Sequence, residues 1–350
     1  MDFKNHLKNN IVVGLSPMDG ITDEPFRLLQ CQIAKPDVIF TEFVSAEGLT
    51  HGGVKLYDQL LYSPQEHPII GQLFGKDPDS FYKSAVILAE LGFDGIDINM
   101  GCPAKTVTHN GSGAALIGKP ELAAELINAV NSGIVDWHQN NRRLKDLSLN
   151  QKTVDVINRN LRYSNISVET RPDGSLPSLS VKTRIGIDEY VTEKWISHLL
   201  TFNLDFITLH GRTLKQVYSG TADWGEIKKA VTLAKSSTTK IWGNGDVVSK
   251  ADALSHVKDY GVSGVLIGRA ALGNPWLFAD IAATPRQKFD TMLLHAQLYQ
   301  QIFPQRHFDP LRRYFLAYAS GLPHAKNLRS KLVSVSTLDQ LCSLEDEFLS

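Results

Sequence analysis

The stretch DGIDINMGCPAK, residues 94–105, is where the fold of this 350-residue chain can be read most directly. Side chains alternate along a strand, so Ile96 and Ile98 share one face while Asp97 and Asn99 share the other. Gly101 and Pro103 then make a tight exit that holds Cys102 where the strand stops. Seven further short apolar runs carry the same signal. IVVGLSPM (11–18), DVIFTEF (37–43) and HPIIGQLF (67–74) precede it; SLSVKTRIG (178–186), DFITLHGR (205–212), KIWGNGD (240–246) and GVLIGR (264–269) follow. Helical spacing separates most of them, as in PDSFYKSAVILAELG (78–92), KPELAAELINAV (119–130), TEKWISHLLTF (192–202) and KADALSHVKDYG (250–261). Strand and helix in alternation call for a parallel sheet with crossovers. Eight such units within roughly 270 residues predict an α/β fold, a (β/α)8 TIM barrel. A doubly wound sheet of five or six strands is the runner-up, and it leaves the polar faces unexplained. Ser180, Lys182 and Arg184 share a face of the fifth strand, and Thr208 and His210 share one of the sixth. In a barrel the apolar sets pack under the helices and these polar sets point at the axis. Gln72, Asn99, Lys182, His210, Asn244 and Asp246 gather at the strands' C-terminal ends, where barrels of this kind hold their active sites.

Two segments fall outside the repeat. Residues 136–177 interrupt the fourth unit with polar stretches, NNRRLKDLSLNQ and RPDGSLPS, and read as an insertion with room for a short helix or hairpin. Residues 281–350 have helical spacing in TMLLHAQLYQQIF and RRYFLAYASGL. The expected organisation is a barrel over residues 1–280, carrying the insertion, and a small C-terminal helical domain over 281–350.

A formal net charge of −1 and a pI near 6.8 exclude a protein that coats nucleic acid through overall charge. Any nucleic-acid contact must be local. The best local candidate runs from Arg306 to Lys331, with six basic residues (Arg306, Arg312, Arg313, Lys326, Arg329, Lys331) against Asp309. Phe308, Tyr314, Phe315 and Tyr318 interleave with them. Such a run is either a solvated helix face or an RNA-backbone platform. The insertion is mildly basic too, with seven basic residues against three acidic from Gln139 to Arg171, and is a candidate to lie over the same cleft. Three widely spaced cysteines, Cys31, Cys102 and Cys342, argue against a disulfide framework and for a reducing compartment. No Cys/His cluster suggests a metal, no apolar stretch approaches a membrane span, and the N-terminus lacks the apolar run of a signal peptide. The expectation is a cytoplasmic monomer.

Cys102 sits at the rim among polar neighbours, where it is a candidate nucleophile or general acid. An ordinary thiol, with a pKa of about 8.5, stays mostly protonated at neutral pH, which favours proton donation. GNGD (243–246) and IGRA (267–270) are glycine turns after the last two strands. They either make tight turns or cradle a phosphate with backbone N–H groups, Arg269 supplying charge. Lys182 points inward, as a structural partner of Asp97 or as a cation beside a bound group. His210 is a core histidine or a ligand contact. Gln72 donates to a ring carbonyl or satisfies barrel backbone.

SPMDGITDEPFR (16–27), INMGCPAKTVTHNGSGAALI (98–117) and the VKTRIG, HGRT, GNGD and IGRA segments together resemble the tRNA-dihydrouridine synthase family over about residues 11–279. YFLAYASGLPHAKNLR (314–329) is similar to the family's helical tRNA-binding domain, and TEFVSAEGL (41–49) to a segment near the substrate. The resemblance implies an FMN enzyme, with NADPH or NADH as reductant, that reduces uridine in tRNA to dihydrouridine. It implies that Pro17, Met18 and Asp19 face the flavin, and that Gln72, Lys182 and His210 contact the isoalloxazine or ribityl chain. Asn244, Gly245, Asp246, Gly268 and Arg269 would hold the phosphate end. Cys102 would be the proton donor, Asn99 would orient the uracil, and Lys105 and Arg212 would contact RNA. Ser16 stands where the family usually has alanine, and the insertion before Lys182 is longer than the family's. The competing readings are a small-molecule FMN oxidoreductase of the dihydroorotate dehydrogenase type, which needs no basic appendage, and an RNA-binding barrel without catalysis.

Overall fold

The eight expected strands all form, and the last pairs with the first. A computed structural model describes residues 3–166, 175–322 and 324–349. The strands are β1 (Val12–Leu15), β2 (Ile39–Ser45), β3 (Ile69–Phe74), β4 (Gly95–Met100), β5 (Ser178–Arg184), β6 (Phe206–His210), β7 (Lys240–Asn244) and β8 (Gly264–Ile267). Each pairs in parallel with its neighbours, and β8 closes on β1 through the Val12–Gly264 to Leu15–Ile267 register. The (β/α)8 barrel predicted from the alternation is therefore the fold.

Register explains why the polar groups converge. Gln72 pairs with Asp97 and Asp97 with Ser180, while Asn99 pairs with Lys182, and Arg184 with His210. Residues at one level on neighbouring strands point the same way, so these side chains stack as layers inside the barrel. Beneath them lies an apolar layer of Val12, Phe40, Ile70, Phe206, Trp242 and Leu266, with the Phe206 and Trp242 rings stacked 3.8 Å apart. The N-terminal helix Phe3–Asn9 closes the floor by adding Phe3 and Leu7 to that cluster. Burying two such side chains contributes about 2 kcal/mol each.

The described residues of the insertion do not line the cleft at the barrel's C-terminal rim. The helix before it continues over Pro120–Gln139, so the departure from the repeat comes after residue 139. Its own helix, Gln151–Tyr163, packs on the outer wall against the Val54–Leu60 segment between β2 and β3, which forms only a 3-10 helix. Asn160 donates to the Tyr57 carbonyl at 2.7 Å, Ser164 to that of Tyr62 at 2.7 Å, and Tyr163 to Glu24 at 2.7 Å. The insertion thus backs the Val54–Leu60 segment, which itself lies against β2. Residues 167–174, which include the acidic Glu169 and the basic Arg171 of that charge count, lie outside the described residues.

The C-terminal stretch is helical, as expected. Helix Pro285–Ile302 rests on helix Glu24–Ala34, and Arg312–Tyr318 follows it. The interleaved aromatics are not an RNA platform. Phe308, Tyr314, Phe315 and Tyr318 are buried, and Tyr314 stacks on Phe26 of the barrel, with ring centroids 5.5 Å apart. Helical periodicity turned them inward, away from the basic residues that alternate with them. Arg306 pairs with Asp58 at 2.6 Å and Arg312 with Asp309 at 2.8 Å, so part of the positive run is spent within the protein.

Candidate active site

A cleft of about 960 Å³ opens at the C-terminal rim, lined by residues from the end of every strand or the turn after it. Its deepest polar element is a chain of amides anchored on Asp97. Ser180 donates to one Asp97 oxygen at 2.6 Å and Gln72 to the other at 2.7 Å. Asn99 donates to the Gln72 oxygen at 3.0 Å and accepts from the Gly101 and Cys102 amides at 3.0 and 2.8 Å. The barrel interior thereby fixes the cysteine loop. Burial pushes Asp97 up to about 6 despite these hydrogen bonds.

Cys102 faces the cleft half-buried, and burial raises its thiol above the ordinary range. It is therefore protonated at neutral pH, the state a proton donor needs. Lys182 donates to Asn244 Oδ1 at 3.0 Å and makes no ion pair with a carboxylate among the described residues. The Asp97 partnership considered from sequence is not its resting contact. Burial, and then Arg184, lower Lys182 to about 8. His210 is held well below its ordinary value by burial and by Lys182, Arg184, Arg212 and Arg269 around it, so its ring is neutral.

The turns after β7 and β8 form one wall. Asn244 links them by donating to the Leu266 carbonyl at 2.8 Å. Gly245 has φ +123°, and a Cβ there would stand 2.9 Å from the His210 ring, so glycine is required twice over. The amides of Gly245, Asp246, Gly268 and Arg269 have no protein acceptor among the described residues. A Cβ on Gly268 would meet nothing closer than the Met18 sulfur at 3.5 Å, so no protein neighbour demands glycine there. Unused amides, a bare glycine surface and the half-exposed Arg269 guanidinium fit the phosphate end of FMN.

Pro17, Met18, Asp19, Gln72, Asn99, Cys102, Lys182, His210, Asn244, Gly245, Asp246, Gly268 and Arg269 all line this cleft. Lys105 is exposed just outside it. Arg212 is not available to RNA: its side chain is 2% exposed and bonds both Asp246 oxygens at 2.6 and 2.8 Å. It sits two residues past His210 and turns inward to hold the phosphate turn's carboxylate. Those bonds and the Ala222 amide outweigh burial and keep Asp246 below the usual carboxylate range.

Arg184, Tyr218 and Phe43 are among the lining residues to which the sequence assigned no role. Arg184 donates to the Gly101 carbonyl at 2.7 Å and to those of Thr213 and Val217 at 3.1 Å, tying the cysteine loop to the loop after β6. Its inward face was legible from alternation, but its acceptors are distant carbonyls that no sequence pattern marks. Tyr218, in the loop after β6, stands over Arg269, 5.0 Å from guanidinium to ring centroid, and Phe43 lines the mouth just past a register shift within β2.

The fold and the rim define the class first: a barrel enzyme whose cleft combines a protonated thiol with a cationic cradle for a phosphorylated cofactor. The dihydrouridine synthase (Dus) family matches residues 14–162 and 174–350, and the chain belongs to that family. It is similar to a probable tRNA-dihydrouridine synthase of Staphylococcus aureus (strain Mu50), with 31% identity over 95% of this chain and 92% of that one. A probable tRNA-dihydrouridine synthase 2 of Bacillus subtilis (strain 168) shares 30% identity over 95% and 93%. Among solved structures, morphinone reductase in complex with tetrahydroNAD overlaps with a TM-score of 0.45 and 10% identity, over 80% of this chain and 91% of that one. No helix among the described residues is long and apolar enough to cross a membrane, and no group of three or more His, Cys, Asp or Glu side chains among them could hold a metal.

Proposed function

We propose that the chain reduces the C5–C6 double bond of a uridine within tRNA to 5,6-dihydrouridine, using FMN with NADPH or NADH as reductant. The supporting observation is that Cys102 lines the same cleft as the glycine turns after β7 and β8. Asn244, Gly245, Asp246, Gly268 and Arg269 would hold the FMN phosphate. Gln72, Lys182 and His210 would hold the isoalloxazine or ribityl chain, with Pro17, Met18 and Asp19 on the side of the first-strand loop. FMN held there would supply hydride chemistry at uracil C6.

The remaining steps belong to the protein. Cys102 gives its proton to C5, which balances the two-electron reduction, and the thiolate recovers a proton from solvent. Asn99, through the Cys102 amide, and Arg184, through the Gly101 carbonyl, hold the thiol's loop in place. Lys182 would place a positive charge beside the flavin ring, favouring its anionic state. The target uridine must leave its stack to enter the cleft, and the RNA body supplies the orientation that a lone uracil cannot. Lys105 meets RNA at the rim. The protein acts as a cytoplasmic monomer.

The test is position-resolved mass spectrometry of dihydrouridine in tRNA from cells with and without this chain, beside the absorbance of the purified protein. Loss of dihydrouridine at defined positions and a yellow preparation are expected. A colourless protein, or an unchanged dihydrouridine map, overturns the reading.

A further inference from the structure

The C-terminal helices touch more than the barrel's flank. Arg313 donates to the Gly20 carbonyl at 2.5 Å, and Tyr314 donates to the neighbouring Ile21 carbonyl at 2.6 Å. These carbonyls belong to the loop after β1, whose Met18, Asp19 and Ile21 line the cleft. The loop is otherwise knotted to the barrel. The Gly20 amide donates to Glu42, the Met18 amide to the Thr22 hydroxyl at 3.1 Å, and buried Arg27 to the Thr22 carbonyl at 2.6 Å. Gly20 has φ +67°, and a Cβ there would lie 2.8 Å from the Arg313 guanidinium. A side chain at this position would meet both backbone strain and Arg313. Met18, two residues earlier, lies beside Gly268 of the phosphate turn, its sulfur 3.5 Å from where a Cβ on that glycine would stand.

We propose that Arg313 and Tyr314 are positioning residues of the cofactor pocket, holding the Gly20 and Ile21 carbonyls so that Met18 stays against Gly268. This rests on the flavin reading above and adds to it: the helical segment is part of the cofactor site as well as a carrier of RNA contacts. The hydrogen bonds run from an exposed guanidinium and from a Tyr314 ring buried against Phe26, so one tie is exchangeable with solvent and the other is locked by packing. Asp19, raised by burial and drawn down by Arg313, senses the same guanidinium at the cleft edge.

The experiment measures FMN binding by fluorescence quenching in the full chain, together with melting of the apo-protein. The variants are Arg313→Met, Arg313→Lys, Tyr314→Phe and, as control, Arg312→Ala, whose partners are surface Asp309 and the Val335 carbonyl, away from the loop after β1. Losing a tie of this strength is expected to weaken FMN binding roughly five- to tenfold in Arg313→Met and in Tyr314→Phe. Arg313→Lys should recover most of the loss, and Arg312→Ala should match the parent. Unchanged FMN affinity in both Arg313→Met and Tyr314→Phe overturns the proposal. So does a loss that tracks apo-protein melting across all four variants, since that marks general destabilisation. If the parent itself binds no FMN, the flavin reading fails first, which separates the two outcomes.

Discussion

At Cys102 two effects compete. The loop amides and nearby cations favour a thiolate, and burial favours the thiol; burial wins, leaving a proton to give. Replacing Cys102 by alanine should lower dihydrouridine formation by about a hundredfold or more while flavin absorbance is retained, as read by mass spectrometry of tRNA against the visible spectrum. Lys182 sets a second, pH-dependent property. A lysine is charged below its pKa, so with a value near 8 the cleft carries this cation at pH 7 and loses it as pH rises. FMN affinity of the apo-protein should therefore fall as pH increases through about 8, in a fluorescence titration, and Lys182→Met should abolish that step. An affinity that rises over the same range would remove Lys182 from the anion site.

Elements show what the sequence could and could not disclose. All eight strands were legible as short apolar runs that each end in a polar or glycine turn, with a period-two polar face added in β4, β5 and β6, and Cys102 was legible because a glycine and a proline bracket it. The Arg184 clamp, the Arg212–Asp246 pair and the Arg313 tie were not, since each joins residues far apart in the chain through carbonyls or carboxylates without periodicity. The insertion misled for a related reason: its basic residues suggested RNA, but its helix is amphipathic and its apolar side seats on Val54–Leu60. Asn160, fully buried and bonded to the Tyr57 carbonyl, is the fastening. Asn160→Ala should cost about 1–3 kcal/mol, seen as an earlier midpoint in urea, with turnover of the folded fraction unchanged. A turnover defect without destabilisation would instead bring the insertion back to the substrate.

For the whole molecule, a net charge of −1 means that RNA must be held by particular cations rather than by a field. With Arg306 and Arg312 paired internally, Lys326 and Arg329 remain exposed on the helix Ala325–Leu332. Changing both to glutamine should flatten the slope of log affinity for tRNA against log salt by about 1.5–2, with flavin reduction by the nicotinamide unaltered. A parent-like slope would place the RNA elsewhere on the surface.

The stoppered floor of the barrel, where Phe3 and Leu7 join the apolar layer, has a kinetic consequence. With that end sealed, the described residues open the polar chamber at the C-terminal rim, where a nicotinamide and a nucleobase would compete for the same face of a bound flavin. Turnover should then alternate visits: double-reciprocal plots in the two substrates should run parallel, and excess tRNA should slow the reaction by blocking the reductant.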